Sequence, residues 1–191
     1  YNLIMESIQS LADHLLIAMP TLEDSFFSRS VTYICEHSEE GALGIMLSQP
    51  LEATYHELFD HLKISSTNQE VLDFSFLAGR PVDKERGFIL HSPLGSWDSS
   101  MTISDEIALS TSEDILAAIA NREGPEEAVI ALGYSGWDKG QLEKEIEDNS
   151  WLIVPANKDI IFHTTPQQRW QKATKLLGID WTQLTEHSGH A

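Results

Sequence analysis

The chain has 191 residues, 41% of them hydrophobic, which suits a packed core within one domain spanning 1–191. With 30 acidic residues against 12 basic ones, its net charge of −18 repels phosphate backbones and anionic membranes, so neither nucleic-acid binding nor membrane association is expected. The single cysteine, Cys35, forbids an internal disulfide and points to a reducing cytoplasm, and no apolar run approaches the ~20 residues of a membrane span.

Met5 is a candidate start, which would leave Tyr1–Ile4 as upstream sequence, and the short apolar stretch 15–19 follows Asp13 rather than a basic leader segment. Strands are expected at 14–19, 30–37 and 42–48, where short apolar or alternating runs are rich in β-branched residues. The polar, glycine-containing segment 38–44 should fold the second and third into an antiparallel hairpin. Thr54 and Glu57 form a capping-box pattern before Leu58, Phe59 and Leu62, and 63–72 reads as a long loop.

Further strands are expected at 73–78 and 86–92, joined by the polar turn 79–87. Thr111 and Asp114 open a second helix carrying Ile115, Ala118 and Ile119. A strand at 128–134 then runs into Ser135-x-x-Asp138, a helix-start pattern, and strands follow at 151–154 and 159–162. The last helix has Thr165 at its N-cap, Pro166 at its first position, an apolar face of Trp170, Ala173, Thr174 and Leu177, and Gly178 as its stop. Strands and helices do not alternate regularly, so the order predicts an α+β fold with a mixed, largely antiparallel sheet. A loose tail is expected at 186–191.

The most catalytic-looking stretch is Gly133-Tyr134-Ser135-Gly136-Trp137. A hydrolase elbow needs Gly-x-Ser-x-Gly, and here the second glycine comes one place early, so Ser135 reads as a cap. Cys35 and His37 should share one face of their strand, as period two requires, but a zinc site needs more thiolate or imidazole ligands and there is no second cysteine. His56 and His61 are five apart and do not share a helix face. No phosphate loop, dinucleotide fingerprint or paired-histidine metal motif appears, so no catalytic residue, metal or cofactor is expected.

Segments 14–51, 79–93 and 133–180, in that order and spacing, resemble the AlgH/YqgE-like family of bacterial proteins. The resemblance covers about 11–181, with 1–10 and 182–191 as terminal extensions. It implies a bifurcated sheet curled into a pseudo-barrel with flanking helices. It also implies a link to regulation, since one branch is named as a regulator of alginate production and labelled transcriptional. No catalytic residue or cofactor comes with it. Arg80 stands where a glycine is expected, and Ser48-Gln49 where Asn-Lys is common. The acidic charge, and the lack of a helix-turn-helix with a basic recognition helix, make an indirect effect physically easier than DNA contact.

The resulting expectation is a cytoplasmic, non-enzymatic protein that binds a protein partner or small ligand, with no oligomeric state specified. Its functional surface is expected at Arg29, Cys35, His37, Arg80, Arg86, His91, Gly133, Ser135, Gly136 and Trp137. The rival is a hydrolase using Ser135 or Cys35 with His37, His91 or His163 as base.

Overall fold

The computed structural model describes residues 10–19, 29–48, 75–78, 87–132, 134–148 and 150–178. In chain order the strands are β1 (His14–Ala18), β2 (Val31–Ser38), β3 (Gly41–Met46), β4 (Ser75–Ala78), β5 (Gly87–Ser92), β6 (Ser100–Thr102), β7 (Ala108–Ser110), β8 (Glu127–Leu132), β9 (Ser135–Asp138) and β10 (Trp151–Pro155). The helices are α1 (Glu113–Ala120), α2 (Gln141–Glu147), α3 (Lys158–Phe162) and α4 (Pro166–Leu176). The chain forms two compact units, 1–49 with 136–191, and 50–135.

The first unit holds a five-stranded sheet in the order β10-β1-β2-β3-β9. The β10–β1, β1–β2 and β2–β3 ladders are antiparallel, and the β2–β3 pair is the hairpin expected from the turn residues. Leu15, Leu16 and Ile17 are all fully buried, so β1 is covered on both faces and reads as a continuous apolar run rather than an alternating one. The register between β2 and β3 shifts between Ile34 and Glu36, a bulge that leaves Cys35 without a partner in the ladder. Leu11, Leu16, Ala18, Ile34, Trp137, Leu142 and Trp151 pack into one core cluster. Gly41 has φ 141°, and a Cβ there would lie 2.3 Å from the Trp137 carbonyl oxygen, so the start of β3 requires glycine.

Helix α4 is anchored by two buried side chains. The Trp170 indole N–H donates to the Ala18 carbonyl at 2.9 Å. The fully buried Arg169 guanidinium donates to the carbonyls of Ile160 (2.9 Å), Leu47 (2.5 Å) and Ile161 (2.6 Å). Thr165, Pro166 and Gly178 stand where the sequence placed them, with Gly178 at φ 73°.

The second unit holds a five-stranded sheet in the order β4-β8-β5-β7-β6. Only β4–β8 is parallel; β8–β5, β5–β7 and β7–β6 are antiparallel. Helix α1 buries Ile115, Leu116, Ile119 and Ala120. It starts one residue later than the capping box implied: Ser112 is its N-cap, while Thr111 bonds Ser99 at 3.1 Å.

Three expectations are corrected. Neither sheet closes on itself or curls into a barrel: the α+β class with antiparallel pairing holds, but the pseudo-barrel does not. The outermost strands have only 3 to 5 residues each, too short a ladder for the tilt and stagger that closure demands. Second, Ser135–Asp138 is a strand, not a helix start. Its residues alternate buried and exposed, and α2 begins at Gln141 after Gly140 at φ 76°. Third, 159–162 lies in α3, because Asn157 caps that turn by accepting the Ile160 N–H at 3.0 Å. The helix expected after Thr54, the loop at 63–72, the turn before Gly87 and the tail at 186–191 lie outside the described residues.

Replacing Arg169 by Leu leaves three buried carbonyls without donors and should cost about 3 kcal/mol in chemical denaturation. Arg169→Lys should lose nearly as much, since one ammonium cannot serve three divergent carbonyls. Wild-type stability in the Lys variant would show that charge alone matters there.

Candidate functional site

The tip of the β2–β3 hairpin is a tight polar turn in which the Glu40 N–H donates to the Ser38 hydroxyl at 3.2 Å. Against it lies a hollow of about 250 Å³, walled by Glu36, Ser38 and Glu40, the start of β3, and Trp137 of β9. The bulge at Cys35 sets this geometry, because it turns Glu36 outward while Cys35 stays buried.

Beside the hollow, α2 is tied to the sheet through its carboxylates. The His37 Nδ1 accepts the Leu11 N–H at 2.9 Å, so the proton sits on Nε2, which meets Glu143 Oε1 at 2.5 Å. Partial burial pushes the Glu143 carboxyl upward, but the His37 hydrogen bond, with help from its own backbone, holds it below the ordinary carboxylate value. One oxygen of Glu145 accepts from two indoles, Trp137 at 2.6 Å and Trp151 at 3.4 Å.

This arrangement does not support the hydrolase reading. Both His37 nitrogens are engaged, so the ring is not available to activate Cys35. The Cys35 thiol is buried with its Sγ 3.8 Å from the Tyr33 carbonyl, and burial, then the charge of Glu36, pushes it well above the ordinary thiol value. The bulge also breaks the strict alternation that would have placed Cys35 and His37 on one face. Ser135 is 3% exposed, and its hydroxyl has no hydrogen-bond partner among the described residues.

His91 does bond a serine, but a different one. Its Nε2 lies 2.7 Å from the Ser110 hydroxyl, which lies 3.0 Å from Ser100, while its Nδ1 meets the Pro93 carbonyl at 3.0 Å. A carbonyl can only accept, so Nδ1 carries the proton, and the Ser110 hydroxyl donates to Ser100. His91 and Ser110 are both fully buried, which denies a substrate access to the pair. His163 is exposed at the end of α3.

Of the remaining expected surface residues, Arg29 is exposed, with its guanidinium 5.7 Å above the Trp170 ring. Gly136 is exposed, and Trp137 is buried with only part of it at the hollow. Arg80, Arg86 and Gly133 lie outside the described residues. Of the expected residues, the structure places only Trp137 in the lining of the hairpin hollow, and Glu36, between Cys35 and His37 in β2, is the exposed residue that lines it. Sequence reasoning missed Glu36, Glu40, Glu143 and Glu145; the buried indole N–H groups, which need acceptors, were the available signal for Glu145. Among the described residues, no group of three His, Cys, Asp or Glu side chains could hold a metal ion, and no helix is long and apolar enough to cross a membrane.

A profile of the AlgH-like family (DUF179) matches residues 15–182. The chain belongs to the AlgH-like family. It is 48% identical over 185 residues to a UPF0301 protein of Pseudoalteromonas translucida, covering 96% of this chain and 100% of that one. It is 47% identical over 187 residues to a UPF0301 protein of Nitrosospira multiformis, covering 98% and 100%. The solution structure of the AlgH protein from Pseudomonas aeruginosa superposes with a TM-score of 0.78 at 40% identity, covering 95% of this chain and 96% of that one. A Corynebacterium diphtheriae crystal structure shares the fold at a TM-score of 0.66 and 20% identity, covering 85% of each chain.

Burial lowers the His91 pKa below its ordinary value, against an upward pull from the Pro93 carbonyl. As pH falls below about 6.5, the unfolded chain therefore takes up a proton that the folded chain resists. This contribution to stability is complete above that pH and is lost on acidification. Between about pH 7 and pH 5 the urea midpoint should fall more for the wild type than for His91→Gln. Identical pH slopes would remove His91 from the account.

Proposed function

We propose that this AlgH-like chain is a cytoplasmic, non-enzymatic, single-domain binding protein that acts on regulation indirectly, through a protein partner. The hollow at the β2–β3 tip carries the reading. It presents the Glu36 and Glu40 carboxylates beside Trp137, on a rigid hairpin, in a chain of net charge −18. Glu143 and Glu145 are held by ring N–H groups next to it, so the carboxylates lining the hollow are left to face solvent. Such a surface suits a lysine or arginine side chain of a basic partner and speeds its encounter. The family match at 15–182 spans both compact units, which supports treating them as one domain. The same net charge speaks against direct contact with DNA.

The test is an affinity pull-down from native extract with the wild type and a Glu36→Gln/Glu40→Gln double variant, both checked for folding. A partner retained by the wild type and released by added salt should be lost by the double variant. Recovery of nothing above background by the wild type, or equal retention by both, would reject the proposal.

A further inference from the structure

A second cavity, of about 520 Å³, lies against α4 and is larger than the hairpin hollow. Among the described residues its lining includes no carboxylate, although 30 of the chain's 191 residues are acidic. Gln168, Gln171, Lys172 and Lys175 line it at i, i+3, i+4 and i+7, one face of α4, and Thr164 and Thr165 complete the polar wall with His163.

Some donors of this wall are uncommitted. Lys175 has no ion-pair or hydrogen-bond partner among the described residues, and the Thr165 hydroxyl makes no cap bond. Two are committed: Lys172 is paired with the Asp159 carboxylate and donates to Thr164 at 3.2 Å, and the Thr164 hydroxyl itself donates to the Asp159 carbonyl at 2.8 Å. That ion pair, with its hydrogen bond leading, holds Asp159 below its ordinary value, with burial opposing. The pair is exposed, so a stronger anion can displace it.

Every lining residue carries a polar or charged group, and a cation meets two lysines. Two ammonium groups on flexible stems, with amide and hydroxyl donors between them, match the tetrahedral oxygens of a phosphate. The volume falls within the range of small-molecule sites and leaves room for more than the phosphate itself. We infer that the α4 cavity binds the phosphate group of a small phosphorylated molecule, with Asp159 competing for Lys172 when the site is empty. A net charge of −18 disfavours loose anion association, so saturable binding must come from local contacts.

The test follows backbone amide resonances of the full chain during titration with inorganic phosphate and, separately, glycerol 3-phosphate. Saturating shifts confined to residues 163–175, with Kd below about 1 mM, are expected. The Lys172→Ala/Lys175→Ala double variant should weaken binding about tenfold, and Asp159→Asn should tighten it about threefold. Tighter binding of the ester supports a phosphorylated metabolite, and equal binding supports recognition of the phosphate group alone. Shifts that never saturate, or that ignore all the variants, mean an adventitious ion only and overturn the inference. Glu36→Gln/Glu40→Gln should leave these titrations unchanged, which separates this site from the partner surface.

Discussion

The Arg169 guanidinium organises the α-helical end of the first unit. It is fully buried, and it spans the exit of β3 at Leu47 and two carbonyls of α3 at Ile160 and Ile161. Burial lowers its pKa to about 10, still far enough above neutrality to keep the cation. Three carbonyl dipoles replace the water it gave up, and each of those carbonyls would otherwise be a buried acceptor without a donor. A planar fork of donors can meet three diverging carbonyls at once, and so it sets where α4 lies on α3. The polar wall of the α4 cavity is carried on the opposite, exposed face of the same helix.

The acidic residues of the first unit divide into two kinds of work. Glu143 and Glu145 bind α2 to β2, β9 and β10 through an imidazole and two indoles. They are charged groups used as acceptors for buried ring donors, which otherwise have nowhere to bond. Glu36 and Glu40 make no such bonds to rings and line open space. The bulge at Cys35 decides this division: one extra residue in β2 turns a thiol inward and a carboxylate outward.

Legibility in the sequence followed how local the deciding interaction was. The β2–β3 hairpin and α4 were readable because a glycine turn and a Thr-Pro start with a Gly stop are local signals. Ser135–Asp138 was misread because Ser-x-x-Asp also fits a cap, and only pairing within the sheet shows that its period is two. The run 159–162 is too short for periodicity to separate strand from helix, and Asn157, two residues upstream, decided it. Strands β6 and β7 have three residues each and give no pattern of their own. Of the expected surface residues, Cys35, His91, Ser135 and Trp137 are buried, because a chemically suggestive side chain carries no sign of which face it occupies. Barrel closure is a property of how strand edges meet over long separations, and no local stretch encodes it.

The sealing of Cys35 limits how this protein can respond to its surroundings. It is the one sulfhydryl in the chain, it sits at a bulge inside the sheet, and it is kept protonated. Peroxide and electrophiles react with exposed thiolates, so the folded molecule offers them no ready thiol. It cannot cross-link to a second copy or carry a glutathione cap without first opening its core. Thiol oxidation of this protein therefore depends on how often its core opens, and not on the chemistry of its surface.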